Sequence, residues 1–166
     1  MVSEKTGRLA TLALERSPWR SARWLVVAPH ADDETLGAGA LIHQAAATQH
    51  LAGVVILTDG AGSHDHSDAA SRARLVRTRR LEAGRAVRRL AGDAAAPPVF
   101  LDWPDAQPAS AGSMMFEASA RRLAALCRER GVDAIAVTGP DDPHCDHQAA
   151  AQLARRAAGM ARRPGA

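Results

Sequence analysis

The sequence predicts an α/β protein with an open parallel β-sheet and helices on both faces. Short apolar runs rich in valine, leucine and alanine alternate with longer stretches of helical periodicity, and four such strand–helix units can be counted. This alternation is typical of parallel α/β architecture. Turn residues such as Gly53, Gly92 and Gly131 stand where each helix should end before the next strand begins.

The predicted strands and helices define the topology. We place the strands at residues 24–28, 53–58, 98–101 and 134–138. We place the helices at residues 34–49, 69–90, 113–130 and 146–160. The sequence does not determine the strand order, but the common doubly wound order 3-2-1-4 would make a Rossmann-like sheet in which strands 1 and 4 are neighbours.

Length and composition limit the class of protein. The chain has 166 residues, so we expect residues 1–166 to form a single domain, with residues 1–22 containing an N-terminal helix. No stretch approaches the ~20 apolar residues that cross a bilayer, so we expect no association with a membrane. Glu4 and Arg8 interrupt the region where a secretory signal needs an apolar core, and only two cysteines occur. We therefore expect a cytoplasmic protein.

Basic residues are numerous, but their arrangement does not favour a nucleic-acid partner. The net charge is +3, and arginine supplies all but one of the 21 basic residues. Their densest run, from Arg72 to Arg89, falls on a predicted helix and is interpreted as a solvated face. This run lacks the interleaved aromatic residues that bind single-stranded nucleic acid. We therefore expect no nucleic acid to bind.

Two clusters of histidine and aspartate follow the first and fourth predicted strands. The first strand leads into His-Ala-Asp-Asp-Glu at residues 30–34, and the fourth is followed by His-Cys-Asp-His at residues 144–147. In the order 3-2-1-4 both clusters line the crevice where open α/β sheets bind ligands. Two imidazoles and one carboxylate suit a zinc ion whose fourth position holds water. With a further carboxylate to accept the proton of that water, the pattern predicts hydrolysis.

Two other interpretations compete with this one. Acidic residues near a helix N-terminus can serve only as caps, and Asp32, Asp33, Glu34 and Asp146 all stand near predicted helix starts. The fold and metal could also serve a non-catalytic module that binds a glycan or a partner protein. A free carboxylate at Asp32 argues against that module, because binding alone does not need a base.

The chain resembles the LmbE-like, or PIG-L-type, zinc deacetylases, which act on GlcNAc-phosphatidylinositol and related amino-sugar conjugates. The resemblance spans about residues 24–155, and its most specific motif is Pro-His-Ala-Asp-Asp-Glu-Thr-Leu-Gly at residues 29–37. The His-Cys-Asp-His motif follows Asp-Asp-Pro at residues 141–143. Between them, Thr58-Asp59-Gly60, the Arg-x-x-Glu pattern from Arg79 and the segment ending in Pro104-Asp105 appear in the family's order.

The resemblance implies an enzyme that removes an acetyl or acyl group from the amide nitrogen of an amino sugar or its conjugate. It implies that His30, Asp33 and His147 bind zinc and that Asp32 is the general base. Iron(II) or cobalt(II) would tolerate the same ligands. The expected partner is a small N-acylated amino-sugar conjugate.

Four more residues receive roles from the resemblance. His144 would stabilise the oxyanion or protonate the leaving amine, and Asp146 would orient a histidine from outside the ligand set. Arg79 and Asp105 match positions that contact the sugar in relatives.

The sequence also departs from the family pattern. Some relatives use a loop tyrosine, and this chain contains none. Cys145 replaces a usual proline and places a thiol beside the predicted metal. The family's usual C-terminal elements are lacking, so we expect either an open pocket or one that a second subunit closes in a homo-oligomer. His64, His66 and Asp68 in the loop after strand 2 could hold a second metal or belong to a mobile polar loop.

Overall fold

The computed structural model describes residues 13–63 and 68–162. It contains four β-strands: β1 (Trp24–Ala28), β2 (Leu51–Thr58), β3 (Val99–Trp103) and β4 (Ala134–Val137). It contains five α-helices: α1 (Asp33–Leu36), α2 (Gly39–Ala47), α3 (Ala69–Ala91), α4 (Met114–Glu129) and α5 (Cys145–Ala161).

The four strands form one parallel sheet in the order β3-β2-β1-β4, which confirms the predicted fold and strand order. Alternate residues of β1 enter two separate apolar cores, as the two-residue period of a strand requires. Leu25 and Val27 pack in the core that α4 and α5 cover. Val26 and Ala28 pack in the core that α2 and α3 cover. Helices therefore lie on both faces of the sheet.

Strand β2 begins at Leu51, two residues before its predicted start at Gly53, and its pairing with β1 contains a β-bulge. Trp24 pairs with Leu51, but Leu25 pairs with Gly53, so Ala52 is an extra residue in the register. Gly53 has φ +150°, and a Cβ there would lie 2.4 Å from Arg130 Nη1. Glycine suits this position because other residues rarely adopt this φ, and a Cβ would also force the end of the Arg130 side chain to shift.

The predicted helix over residues 34–49 is two helices, α1 and α2, separated at Gly37 and Ala38. Apolar periodicity does not show this break. Ala38 has φ −129° and ψ 7°, which is not helical, and glycine supports a helix poorly. The break makes α1 a single turn soon after β1, and that turn places Asp33 beside His30 and His147.

The predicted N-terminal helix over residues 1–22 is not found in the described part of that range. Residues 13–22 contain only a single 3-10 turn, Leu14–Arg16, and the rest of the prediction lies outside the described residues. Pro18 explains the end of this turn, because the residue before a proline is driven into extended conformation. Ser17 is extended, with φ −85° and ψ 158°. Within the described ranges, no helix combines the length and apolar character needed to cross a bilayer.

Candidate metal and catalytic site

The two predicted clusters meet at the carboxyl ends of β1 and β4, which are paired neighbours in the sheet. Three imidazole rings converge there. The ring centres of His30 and His144 are 4.8 Å apart, those of His144 and His147 are 5.0 Å apart, and those of His30 and His147 are 5.3 Å apart. Parallel pairing brings both clusters to one edge, since the loops after neighbouring parallel strands leave the sheet on the same side.

Asp33 lies between two of these histidines. Its Oδ2 atom is 3.3 Å from His30 Nδ1 and 3.3 Å from His147 Nε2. One ligand atom from each of the three residues lies within 4.8 Å of the others. Two imidazole nitrogens and one carboxylate oxygen are a donor set that fits zinc with an open position.

The second nitrogen of each histidine faces another carboxylate. His30 Nε2 is 2.9 Å from Asp146 Oδ2, and His147 Nδ1 is 3.0 Å from Asp142 Oδ2. Histidines that bind metals usually direct the other ring nitrogen to such a partner, which fixes the ring and its tautomer. The structure therefore brings Asp146 to His30, and it adds Asp142, which was not predicted as a site residue.

A second group of nearby donors, His30, His144 and Asp146, shares His30 with the first. Asp146 is fully buried, and its Oδ2 atom already accepts a hydrogen bond from Ala106 N at 2.9 Å. This contact leaves Asp146 better suited to orient His30 than to bind an ion. The geometry thus favours the group that contains Asp33.

The carboxylates change the proton affinity of the cluster. Burial alone would lower the pKa of His30, but hydrogen bonds to Asp33 and Asp146 and the nearby charge of Asp105 outweigh it and raise the pKa to about 9. Burial alone would raise the pKa of Asp33, but its hydrogen bonds to the His30 side chain and backbone lower it. Without a metal, His30 therefore carries a proton at neutral pH.

His144 is the N-cap residue of α5, and its Nδ1 atom accepts a hydrogen bond from Asp146 N at 3.2 Å. A neutral imidazole that accepts at Nδ1 carries its proton at Nε2. His144 can therefore act as a hydrogen-bond donor in the crevice. Its side chain is 45% exposed, so a ligand can reach it.

Asp32 does not serve as a helix cap. It occupies the N-cap position of α1, yet its side chain makes no capping hydrogen bond and the residue is exposed. Asp146 likewise directs its carboxylate to His30 and Ala106. The structure thus contradicts the interpretation that these two aspartates act only as caps.

A cavity of about 280 Å³ is lined by two of the three histidines, His30 and His144. The two residues predicted to contact the substrate, Arg79 and Asp105, both line this cavity. Asp105 Oδ1 is 3.3 Å from His30 Nε2. Arg79 Nη1 is 3.8 Å from Glu82 Oε2. The cavity thus combines carboxylates with a cation. Its lining residues are His30, Ala31, Asp32, Gly60, Gly62, Arg79, Asp105, Ala106 and His144.

Cys145 belongs to neither donor group found among residues 13–63 and 68–162. Cys145 is exposed, and its Sγ atom is 3.9 Å from Asp146 Oδ1 and 4.0 Å from Ala106 O. His64 and His66 lie outside the described residues. Asp68 is described and caps α3 by accepting a hydrogen bond from Ser71 N at 2.7 Å.

Glu34 is a buried carboxyl group that was predicted only as an acidic residue of the motif. It is 1% exposed, and its Oε1 atom accepts a hydrogen bond from Thr35 Oγ1 at 2.9 Å. Burial raises the pKa of Glu34, and the charge of Asp32 adds to this rise. Sequence periodicity does not indicate that Glu34 is buried, because α1 is a single turn and too short to show a helical pattern.

Comparisons with known proteins identify the family and support the fold. The family model described as "PIG-L: GlcNAc-PI de-N-acetylase" matches residues 25–158. Comparison with curated proteins yields no significant match.

Three solved structures are similar in fold. An N,N'-diacetylchitobiose deacetylase from Pyrococcus horikoshii has 24% identity and a TM-score of 0.72, with 90% of this chain and 54% of that chain covered. A 4-carboxy-2-hydroxymuconate hydratase from Pseudomonas putida has 25% identity and a TM-score of 0.67, with coverages of 85% and 57%. A conserved protein from Thermus thermophilus has 27% identity and a TM-score of 0.55, with coverages of 83% and 56%. The chain thus spans just over half the length of each structure.

Proposed function

Because the chain belongs to the PIG-L family of GlcNAc-PI de-N-acetylases, as its motifs predicted, we propose that it is a metal-dependent amide hydrolase. Its substrate is an N-acetylated or N-acylated amino sugar or a conjugate of one. The products are a free amine and a carboxylate.

One observation carries this proposal. His30 and His147 each lie between the Asp33 carboxylate and a second, outer carboxylate. The hydrogen bond to Asp146 fixes the His30 ring, while Asp142 lies 3.0 Å from His147 Nδ1 as a charge partner without a hydrogen bond. Both imidazoles face one small volume beside Asp33, as a divalent metal requires. The residues present therefore fit zinc, and His30, Asp33 and His147 would hold it. A bound divalent ion supplies acidity to a water molecule and polarises a carbonyl oxygen.

Two residues that line the cavity, Asp32 and His144, carry out the proton transfer and stabilise the intermediate. Asp32 accepts a proton from the attacking water as the water oxygen bonds to the amide carbon. His144 donates a hydrogen bond from its Nε2–H to the carbonyl oxygen and so stabilises the negative charge that this oxygen gains in the tetrahedral intermediate. The carbon–nitrogen bond then breaks, and the proton held by Asp32 passes to the leaving nitrogen. Each proton is thus accounted for within the cavity.

The polar lining of the cavity supports a sugar as the substrate. Arg79 offers hydrogen-bond donors and Asp105 offers acceptors in the cavity wall, and sugar hydroxyls can use both. The deacetylase from Pyrococcus horikoshii is named for an N-acetylated disaccharide, which is consistent with this substrate class. Cytoplasmic location and assembly into a homo-oligomer stay predictions.

Two alternatives remain to be tested against this proposal. One is the non-catalytic binding module considered above. The other is addition of water to a carbon–carbon double bond, as the name of the Pseudomonas putida hydratase indicates for that protein. Amide hydrolysis differs from both because it releases a primary amine.

The test is an assay of amine release from a series of N-acetylglucosamine conjugates, with zinc added and with a chelator added. We expect release that the chelator abolishes and that zinc restores. Release that persists in the chelator would contradict a metal-dependent mechanism. Stoichiometric zinc binding without release from any conjugate would favour the binding module or the hydratase.

A further inference from the structure

Asp59, which follows β2, links separate parts of the cavity wall. Its Oδ1 atom accepts hydrogen bonds from Ala61 N at 3.0 Å and from Asp105 N at 3.4 Å. Its Oδ2 atom accepts a hydrogen bond from Arg72 of α3. Its backbone N–H donates to Trp103 O at 2.9 Å. One side chain, only 11% exposed, thus contacts the loop after β2, the loop after β3 and a helix.

Asp105 makes the return contact between the same two loops. Its Oδ2 atom accepts a hydrogen bond from Gly62 N at 2.9 Å, and its Oδ1 atom faces His30 Nε2 at 3.3 Å. The two loops approach so closely that a Cβ on Gly62 would lie 2.9 Å from Asp105 Cγ. Residue 62 must therefore be glycine for Asp105 to keep this position.

We propose that Asp59 is a positioning residue, which joins the loops at residues 59–63 and 103–106 and so aims the Asp105 carboxylate at the substrate. This inference rests on the proposed function, because it takes the cavity to be the substrate site. Asp59 itself does not line the cavity, so it acts through Asp105. One oxygen of Asp59 accepts from a backbone N–H of each loop, and this shared acceptor fixes the distance between the two loops.

The chain contains a matched control for Asp59. Asp102 accepts a hydrogen bond from Arg80, so it too forms a pair with an arginine of α3 at the end of the sheet. Asp102 does not line the cavity. Asp102→Ala therefore removes an aspartate–arginine pair while leaving the wall of the cavity in place.

The kinetic test uses the zinc-loaded full chain and N-acetylglucosamine as the probe. In Asp59→Ala and Gly62→Ala we expect KM to rise about tenfold with kcat within about threefold of wild type, which indicates lost substrate binding and retained chemistry. Asp59→Asn keeps an oxygen that can accept from both backbone N–H groups, so it should restore KM to near the wild-type value. Arg72→Gln and Asp102→Ala should also have KM near wild type.

A second measurement needs no activity. Amide hydrogen exchange over residues 105–107 should be faster in Asp59→Ala than in wild type, because the Asp105 N–H loses its acceptor. It should be unchanged in Asp102→Ala. Unchanged exchange in Asp59→Ala, or an equal KM rise in Asp102→Ala, would overturn this inference. Failure of the wild type to hydrolyse the probe bears on the proposed function, while the exchange experiment still decides the role of Asp59.

Discussion

Asp32 and His147 make different contacts in the crevice, and their variants should therefore fail in different ways. Asp32 is exposed and lies outside the group around Asp33, whereas His147 belongs to that group. Asp32→Asn should lower the rate of amine release by at least about 10²-fold while keeping the metal, because it removes only the base. His147→Ala should lose both the bound metal and amine release, because it removes a metal ligand.

Metal content after dialysis and steady-state rates decide between these outcomes. Asp93→Asn, which changes an exposed carboxylate in the turn after α3, is the control and should match the wild type in both. If Asp32→Asn lost the metal while His147→Ala kept it, the roles of these two residues would be assigned wrongly.

His30 should make metal binding depend on pH. The pKa of His30 is about 9 in the folded, metal-free protein, above its ordinary value of 6.5. Protonation of His30 therefore stabilises the folded metal-free protein relative to the unfolded chain, and this stabilisation is complete below pH 6.5. This stabilisation is lost as the pH rises through 9. Metal binding at pH 7.5 should therefore release about one proton from His30, and at pH 10 it should release almost none from it.

Calorimetry in buffers of different ionisation enthalpy measures this proton release. Asp105→Asn keeps the three proposed ligands but removes a charge that raises the pKa of His30, so it provides the comparison. Equal release at pH 7.5 and pH 10 would show that His30 is not the protonated group.

The residues that carry chemistry could be predicted individually, but their supporting carboxylates could not. His30, Asp33 and His147 stand in motifs whose spacing indicates a metal site. Asp59 contacts a residue of another loop and Asp142 contacts the first turn of α5, and the path of each loop depends on tertiary packing. Only the structure shows that Asp59 contacts Asp105 and that Asp142 lies beside His147.

A buried hydrogen bond joins β3 to α4 and is expected to contribute measurably to stability. Trp103 Nε1 donates to Ser119 Oγ at 2.9 Å, and both residues are buried. Ser119→Ala should lower the free energy of unfolding by about 1–3 kcal/mol, because the indole N–H is left without an acceptor. Urea denaturation of the metal-free protein measures this change.

A double-mutant cycle isolates that bond. In a Trp103→Phe background the indole N–H is already absent, so Ser119→Ala should cost clearly less than it does in the wild type. Equal costs in the two backgrounds would mean that the hydrogen bond contributes nothing of its own.

Most helices and strands follow their sequence patterns, and the exceptions have local causes. The helices predicted at 69–90 and 113–130 correspond closely to α3 and α4, which have caps at Asp68 and Ser113. The break between α1 and α2 was missed because a glycine inside an apolar pattern is compatible with a continuous helix. The break follows from non-helical dihedral angles at Ala38, which periodicity does not encode.

At the scale of the whole molecule, the predicted strand order is what places the motifs after β1 and β4 side by side. Parallel strands connected by helices favour one handedness, and this limits the arrangements open to four strand–helix units. The observed order β3-β2-β1-β4 places β1 beside β4 and so brings residues 30–33 to residues 144–147. The fold thereby turns two distant motifs into one cluster.

Anomalous X-ray diffraction from crystals of the zinc-loaded protein tests this central claim most directly. We expect one zinc ion per chain, about 2.0–2.2 Å from His30 Nδ1, His147 Nε2 and an Asp33 oxygen. A zinc ion held by residues of only one motif, or an anomalous peak elsewhere with none between residues 30–33 and 144–147, would contradict the account.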